Sequence, residues 1–562
     1  MIIVIQIISS CLRVSVYKVS FLRDEAINPL ERHRDIMKLY EFLFKFFFFI
    51  LVLGYQSNAK DAALVGRSSA VGEISGMIRD VSPYFLSVAL SPYLIHDGLF
   101  HGFVSSQRAR TLTRGLAPAL LRMGGSAANF LTFDPDAVVD EARIDDYWNF
   151  DDRELILNEE YEKAAFENFT ITQADWRNIT EFVEAVNMIL LFDLNQFFRV
   201  PNGDWDPSNA KMLLDDANDR DLSIIWQLGN EPNSYNYNYG YNFTGERDAR
   251  DFGQLNDVLR NVFSEALMVG PDITRPKFKP QQDTQGAVED EEGYCRDSVQ
   301  FLEEFLSELT VNITALSWHH YYLDGHTSTV DDFISLETMD VLTWQIPIVT
   351  NLRDQYISGT PVWLTETSSA FGGGAEGLSN RYVAGFLWLD KLGLAASLGV
   401  DMVARQTLFG KRYALIDYDY TPLPDYWLSL AYKRLVGERV LNITLSNNPS
   451  SLRLYSHCQQ FGSASFEPGN VVVYGMNVGN ITSSVVLAGV HSNHTIEQYL
   501  LEPMGQGLVS RDVMLNGEML ELANDEELPE LMPLLLPQQE FEIPPTTFGF
   551  WVIKQAHVAD CI

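Results

Sequence analysis

Eight short apolar runs, separated by stretches that read as helix, constrain this chain more than any other feature. They are "YFLSVAL" (84–90), "ALLRMGG" (119–125), "MILLFDLN" (188–195), "SIIWQLGNE" (223–231), "ALMVGPD" (266–272), "ALSWHHYY" (315–322), "VWLTETS" (362–368) and "DMVARQTLF" (401–409). Between several of them lie helix-like segments such as "TQADWRNITEFVEAVN", "PSNAKMLLDDANDR" and "RYVAGFLWLDKLGLAASLG". Near-continuous apolar strands alternating with helices imply a parallel sheet covered on both faces. Eight such units predict a closed (β/α)8 TIM barrel over 81–436. The competing architecture is an open doubly wound sheet, but no G-x-G-x-x-G follows an early strand to support it.

After Val440 the pattern changes. "VVVYGMNV", "SSVVLAGV", "TIEQYLLEP" and "TTFGFWVIK" alternate apolar and polar residues between Gly, Asn and Pro, which predicts an antiparallel β-sandwich over 437–562. Residues 60–80 are expected to join that sandwich. The Leu-, Pro- and Glu-rich stretch 526–545 reads as a loop over the sheet. The acidic stretch 136–168 reads as a solvated insertion between the second barrel strand and its helix.

Residues 1–59 are set apart from the fold as leader and signal. From Met37 the chain reads "MKLYEFLFKFFFFILVLGYQSNAKDA": a basic start, an apolar core and small residues for cleavage. That core falls short of the roughly 20 apolar residues of a membrane span. A secreted, extracellular or lysosomal protein is expected, with a membrane reached only through an uncleaved signal anchor. Seven N-x-[ST] triplets, at Asn168, Asn178, Asn242, Asn312, Asn442, Asn480 and Asn493, fit that route as glycosylation acceptors. Beyond the leader's Cys11 there are three cysteines. Cys458 and Cys561 share the C-terminal region and are the favoured disulfide, which leaves Cys295 free or buried. No Cys/His spacing suggests a metal, and no cofactor is expected. The net charge of -35 excludes nucleic acid as a partner, since binding it requires a surplus of Lys and Arg.

The chemistry lies in the fourth and seventh runs. "WQLGNE" ends in Glu231 and "VWLTE" in Glu366. The strand C-termini of a barrel converge on one face, and strands four and seven stand on opposite sides of it. Two carboxyls facing each other across a sugar are what glycoside hydrolysis needs: one protonated, to serve the leaving oxygen, and one ionised, to attack the anomeric carbon. An apolar lining and a neighbouring negative charge would keep one of them protonated. Asn230 is placed to bind a sugar 2-hydroxyl and Tyr321 to orient Glu366. His319 and His320 end the sixth strand, and Gly372, Gly373 and Gly374 permit close backbone approach to a sugar.

"LGNEPNS", "SWHHYYLDG", "VWLTETSSAFGGGAEGLS", "GFLWLDKLG" and "PLPDYWLSLAYKRLVG" together resemble glycoside hydrolase family 79, the heparanase family of endo-β-glucuronidases. The resemblance runs from Val81 to Cys561. It implies the barrel with its C-terminal β-sandwich, Glu231 as proton donor and Glu366 as nucleophile. It also implies a cleft lined by Asn230, Tyr321, Gly372, Gly373, Gln406 and Tyr413, with Ser126 in place of a threonine, and a Cys458–Cys561 disulfide. The implied substrate is heparan sulfate, cut internally at glucuronic acid at acid pH. The chain departs from the family in three ways. The stretch 136–168 is short and acidic where the animal enzymes carry an excised linker. Basic clusters are thinned: "NEEYEKAAFENFT" replaces a lysine-rich segment and His326 an arginine, while Lys277 keeps its charge. Ser91 replaces an acidic cleft residue. Two alternatives stand beside an endo-acting retaining enzyme. One is an exo-β-glucuronidase on small or unsulfated glucuronides, and the other is a non-catalytic glycosaminoglycan-binding relative.

Overall fold

The computed structural model describes residues 68–138, 168–277, 297–447, 449–488, 495–537 and 540–562, all within the unit Arg67–Ile562. The expected leader, Cys11, most of the acidic insertion, Cys295 and Asn493 lie outside the described residues.

Eight parallel strands close into a barrel. In chain order they are Leu86–Leu90, Leu120–Met123, Ile189–Leu194, Ile224–Leu228, Met268–Ile273, Ala315–Asp324, Val362–Phe371 and Met402–Arg405. Each coincides with one of the eight apolar runs, and the fifth, sixth and seventh continue slightly further. They are called the first to eighth barrel strands below.

The two-residue period of a strand splits every run between two environments. Leu121, Leu190, Leu316, Leu364 and Val403 point outward into the core beneath the helices. Leu120, Leu191, Ile225, Val269, Ala315, Trp363 and Met402 point inward and form a separate apolar floor. Two residues beyond five of these floor positions stand Arg122, Asp193, Gln227, Ser317 and Thr365, all buried. The barrel interior is therefore apolar below and polar towards its mouth.

The helices obey the same logic. Gln173–Ala185 starts at a capping box, with the Thr172 hydroxyl accepting from the Asp175 amide. It buries Trp176, Ile179, Phe182 and Val183 along one stripe. Just before it, Phe169–Ile171 pairs in parallel with Leu131–Phe133, so the two flanks of the acidic insertion are held together.

Among the described residues the C-terminal sheet has eleven strands, and Ser68–Asp80 lies inside it, third from one end of the strand order. This first strand runs antiparallel to Val436–Ser446 and parallel to Ser483–Ala488, so the expected all-antiparallel pattern has one parallel pairing. One face closes on itself, with Phe541 stacked on Trp551 at 4.4 Å. The other face packs on the barrel, where Tyr382 stacks on Phe548 at 4.6 Å. At that seam the buried Asp390 accepts from Arg453 Nε at 2.5 Å and from Tyr455 OH at 2.5 Å. The reading of 526–545 as a loop is corrected: Leu534–Leu536 pairs with Ile496–Pro503, and Glu540–Ile543 with Ser483–Ala488. Leu534 and Leu535 are exposed, so this edge strand carries no burial alternation to betray it.

Cys458 and Cys561 form a disulfide across 103 residues. In the chain-entropy picture a loop of about 100 residues is worth about 4–5 kcal/mol. Asn168, Asn242, Asn312, Asn442 and Asn480 are exposed and Asn178 is half-buried. Among the described residues no helix is long and apolar enough to cross a membrane.

Candidate active site

Glu231 follows the fourth barrel strand by three residues, and the backbone must twist to present it. Gly229 has φ +77°, and a Cβ there would lie 2.2 Å from Gln196 Oε1, so only glycine fits. Glu231 is itself left-handed, at φ 52° and ψ 55°. That conformation costs a non-glycine residue about 1–2 kcal/mol. It is pinned by the Glu231 amide donating to Asp272 O at 3.1 Å and the Ser234 amide donating to Glu231 O at 2.9 Å.

Glu366 is aimed by a different device. The register between the sixth and seventh strands shifts between Leu364 and Glu366. Such a bulge re-aims side chains that strict alternation would send to opposite faces. Thr365 and Glu366 both reach inward as a result. The Thr365 hydroxyl donates to Asp272 Oδ1 at 2.5 Å, and Tyr321 OH donates to Glu366 Oε1 at 2.7 Å.

Arg122 organises the polar layer below the two carboxylates. It donates to Glu366 Oε2 at 2.8 Å, Asn230 Oδ1 at 2.8 Å, Asp272 Oδ2 at 2.7 Å and Gln227 Oε1 at 2.8 Å. Gln227 Nε2 in turn donates to Asp272 Oδ1 at 2.6 Å. His319 bridges the layer to the acid: Nδ1 lies 3.0 Å from Glu231 Oε1 and Nε2 lies 3.1 Å from Asp272 Oδ2. Glu231, His319 and Glu366 each bring one side-chain atom within 4.8 Å of the others. Both ring nitrogens of His319 already face carboxylates, so the trio is built as an ionic network rather than a set of metal lone pairs.

Burial opposes every charge here, and the pairings decide which ones survive. Burial pulls the His319 imidazole down, but Asp272, Glu366 and Glu231 outweigh it and hold its pKa at about 10. Burial pushes Glu366 up, yet His319, Arg122 and Tyr321 bring it below the ordinary carboxylate range. Asp272 is likewise held low by Arg122 and His319 against burial. Asp193, 3.6 Å from Arg122, escapes that rescue, and burial lifts it to about 8. At neutral pH the layer thus holds two cations, Arg122 and His319, against two anions, Asp272 and Glu366, with Asp193 protonated. Cations and a tyrosine hydroxyl thus surround an ionised Glu366, the state expected of the attacking member of the pair.

A cleft of about 470 Å³ opens over this layer, lined by Glu231, Glu366, His319, Tyr321, Ser126, Gly372, Gln406, Tyr413, Lys277 and Ser91 among others. Of the remaining expected residues, Asn230 sits beneath, gripped by Arg122. Gly373 and His326 flank the lining. His326 Nε2 lies 3.3 Å from where a Cβ of Gly372 would stand, and Lys411 Cδ 3.5 Å from that of Gly373. Gly372, Gly373 and Gly374 all have positive φ, at 71°, 82° and 99°, which carries the chain tightly around the rim. Tyr321 and Tyr413 stack at 6.1 Å. Sequence reasoning missed Arg122, Asp272, Asp193 and Arg275. For the first three the available signal was a charge inside or at the end of an apolar run, "ALLRMGG", "ALMVGPD" and "MILLFDLN"; Arg275 lies three residues past the last charge of "ALMVGPD" and carried no such signal.

A family model for the N-terminal domain of glycosyl hydrolase family 79 matches residues 106–393. Mouse heparanase (Mus musculus) is 36% identical over 517 residues, 86% of this chain and 92% of the relative. Human inactive heparanase-2 (Homo sapiens) is 33% identical over 538 residues, 86% of this chain and 88% of the relative. Among solved structures, the family 51 arabinofuranosidase of Xanthomonas axonopodis pv. citri superposes with a TM-score of 0.60 at 13% identity, over 87% of this chain and 100% of that one, a likeness of fold alone. With the barrel, the facing carboxylates and these relatives together, the chain belongs to glycosyl hydrolase family 79 and is a glucuronidase-type glycoside hydrolase.

Proposed function

We propose that the protein is a retaining endo-β-glucuronidase that cleaves heparan sulfate or a related glucuronic-acid-containing glycosaminoglycan. One observation carries the mechanism: side-chain oxygens of Glu231 and Glu366 lie within 4.8 Å of each other across the barrel mouth. Carboxyl groups about 5–5.5 Å apart serve retaining enzymes, whereas inverting enzymes need about 6.5–9.5 Å to admit a water.

Glu366, kept ionised by Arg122, His319 and Tyr321, attacks the anomeric carbon. The bond to the leaving oxygen breaks, and that oxygen takes the proton of Glu231. A water then attacks the glycosyl-enzyme ester, giving its proton to the Glu231 carboxylate and releasing Glu366. Each residue returns to its starting state. Beneath the ring, Arg122 holds Glu366 and Asn230 in place. The presence of both carboxyls supports an enzyme over a non-catalytic binding relative. The signal-like stretch from Met37 and the exposed N-x-[ST] asparagines support a secreted, extracellular or lysosomal setting.

The test is digestion of heparan sulfate, unsulfated heparosan and an aryl β-glucuronide by the purified full chain at acid pH. The expected result is a fall in polysaccharide chain length, with Glu366→Gln and Glu231→Gln each losing about 10³-fold or more in rate on the polysaccharide. Release of free glucuronic acid alone means exo action. Cleavage by Glu366→Gln at the wild-type rate sinks the assignment.

A further inference from the structure

The peptide that leads into Glu231 is held at both ends. Its N–H, on Glu231, donates to Asp272 O at 3.1 Å. Its C=O, on Asn230, accepts from Asn129 Nδ2 at 3.2 Å. The Oδ1 of the same Asn129 side chain accepts from the Asn230 amide at 3.3 Å. One carboxamide thus brackets Asn230 as a neighbouring strand would, meeting its donor with an acceptor and its acceptor with a donor. Asn129 comes from elsewhere in the fold. It lies in the short turn Ser126–Phe130 after the second barrel strand, two places round the barrel from the strand that carries Glu231. It is 1% exposed, so it meets protein and not substrate.

The side chain is itself held from behind. Its Oδ1 lies 3.0 Å from the Tyr235 hydroxyl, which lies 2.9 Å from Gln196 Oε1. Tyr239 is hydrogen-bonded to Asn129 and to Ser126. What this assembly holds is the left-handed backbone of Glu231, at φ 52°. A side chain in that region persists there only while its surroundings over-determine it. Once the bracket is lost, φ relaxes towards the ordinary negative region, and the peptide and the Cα–Cβ bond of Glu231 turn relative to each other. The carboxyl then leaves its place 3.0 Å from His319 Nδ1. A general acid must stand within hydrogen-bond reach of the oxygen it protonates, so a small turn at this backbone removes its effect.

We propose that Asn129 is a positioning residue for the proton donor: by bracketing Asn230 it aims the Glu231 carboxyl at the leaving oxygen, and it leaves the attack by Glu366 untouched. This rests on the glucuronidase reading above. A leaving group acidic enough to depart as an anion needs no proton, so loss of Asn129 falls on basic leaving groups alone.

The experiment uses two aryl glycosides of an amino-sugar–glucuronic-acid disaccharide, one releasing phenol and the other dinitrophenol. The full-length wild type, Asn129→Leu, Asn129→Asp and Tyr235→Phe are assayed for kcat/KM at acid pH, with melting temperatures recorded. Asn129→Leu fills the same space without a hydrogen bond. It is expected to lose about tenfold or more on the phenyl glycoside, part of the 10²–10⁴ that general acid catalysis supplies, and less than about threefold on the dinitrophenyl glycoside. Asn129→Asp is expected to recover most of the phenyl rate, since a buried carboxyl stays protonated at acid pH and donates and accepts as the amide does. Tyr235→Phe removes one support of Asn129 and is expected to shift the same ratio by about threefold. Equal losses on both glycosides in Asn129→Leu, or a phenyl-to-dinitrophenyl ratio equal to that of the wild type, overturn this inference alone. So does Asn129→Asp losing the phenyl rate as fully as Asn129→Leu. Where Asn129→Leu does not fold, an unchanged ratio in Tyr235→Phe overturns it and a shifted one supports it. Failure of the wild type to cleave either glycoside or a glucuronic-acid-containing polysaccharide overturns the glucuronidase reading and this inference with it.

Discussion

The floor and the mouth of the barrel are built by the same eight strands only two residues apart, yet they follow opposite rules. At the floor, Leu120, Leu191, Ile225 and Trp363 gain stability by leaving water. One step up, Arg122, Asp193, Gln227 and Thr365 are equally buried and carry polar groups that cost stability unless each is partnered. The difference teaches that stability and chemistry are separable along a single strand. The floor can be altered at the expense of folding, and the mouth at the expense of catalysis.

That separation can be broken most severely at Arg122. Arg122→Met leaves Asp272 and Glu366 with one shared cation, His319, in place of two. Removing one partner of a buried ionic network costs about 3–5 kcal/mol, and with only His319 and Tyr321 left to hold Glu366 ionised and in place, glucuronide cleavage falls about 10³-fold or more. Urea melts and single-substrate kinetics read both losses. Trp363→Ala, on the floor, costs a comparable 3–5 kcal/mol. The protein that remains folded at low temperature should keep kcat/KM within about threefold of wild type, because no catalytic contact involves Trp363. A larger kinetic loss would mean the floor is not separate from the mouth.

His319 sharpens the comparison through pH. Its folded pKa of about 10 lies above the ordinary 6.5, so the folded state binds this proton more tightly. The stabilisation is whole below about pH 6.5 and drains away as pH rises towards 10. Unfolding free energy should therefore fall over that window in the wild type and fall less steeply in His319→Gln. The smallest expected effect is at Thr365. Thr365→Val removes one donor from Asp272 and should cost about 1–2 kcal/mol, with a several-fold loss of activity as the bulge loosens.

The sequence carries the barrel plainly, because eight apolar runs at helical intervals admit few other closures. It carries Glu231 and Glu366 because each ends such a run. What it hides is register. That Thr365 and Glu366 face the same way is a property of how the seventh strand pairs with the sixth, and no residue type announces it. Arg122 was visible as a letter inside "ALLRMGG", but its meaning depends on Asp272 and Glu366, 150 and 244 residues away. Residues 526–545 hid two strands because their pairing edge is short, Pro-flanked and partly exposed.

The strand Ser68–Asp80 has a consequence for the order in which this molecule can be made. It is the first described element of the chain, yet its neighbours on either side are Val436–Ser446 and Ser483–Ala488. Ser68 and Ser483 touch through their hydroxyls at 2.9 Å although they stand 415 positions apart in the chain. At a ribosomal pace of about 5–20 residues per second, that strand waits roughly 20–80 s for its partners to emerge. Until they do, its backbone donors and acceptors lack the partner strands they have in the finished sheet. Residues 437–562 expressed on their own would lack an inner rib, the one that joins Ser483–Ala488 to Val436–Ser446.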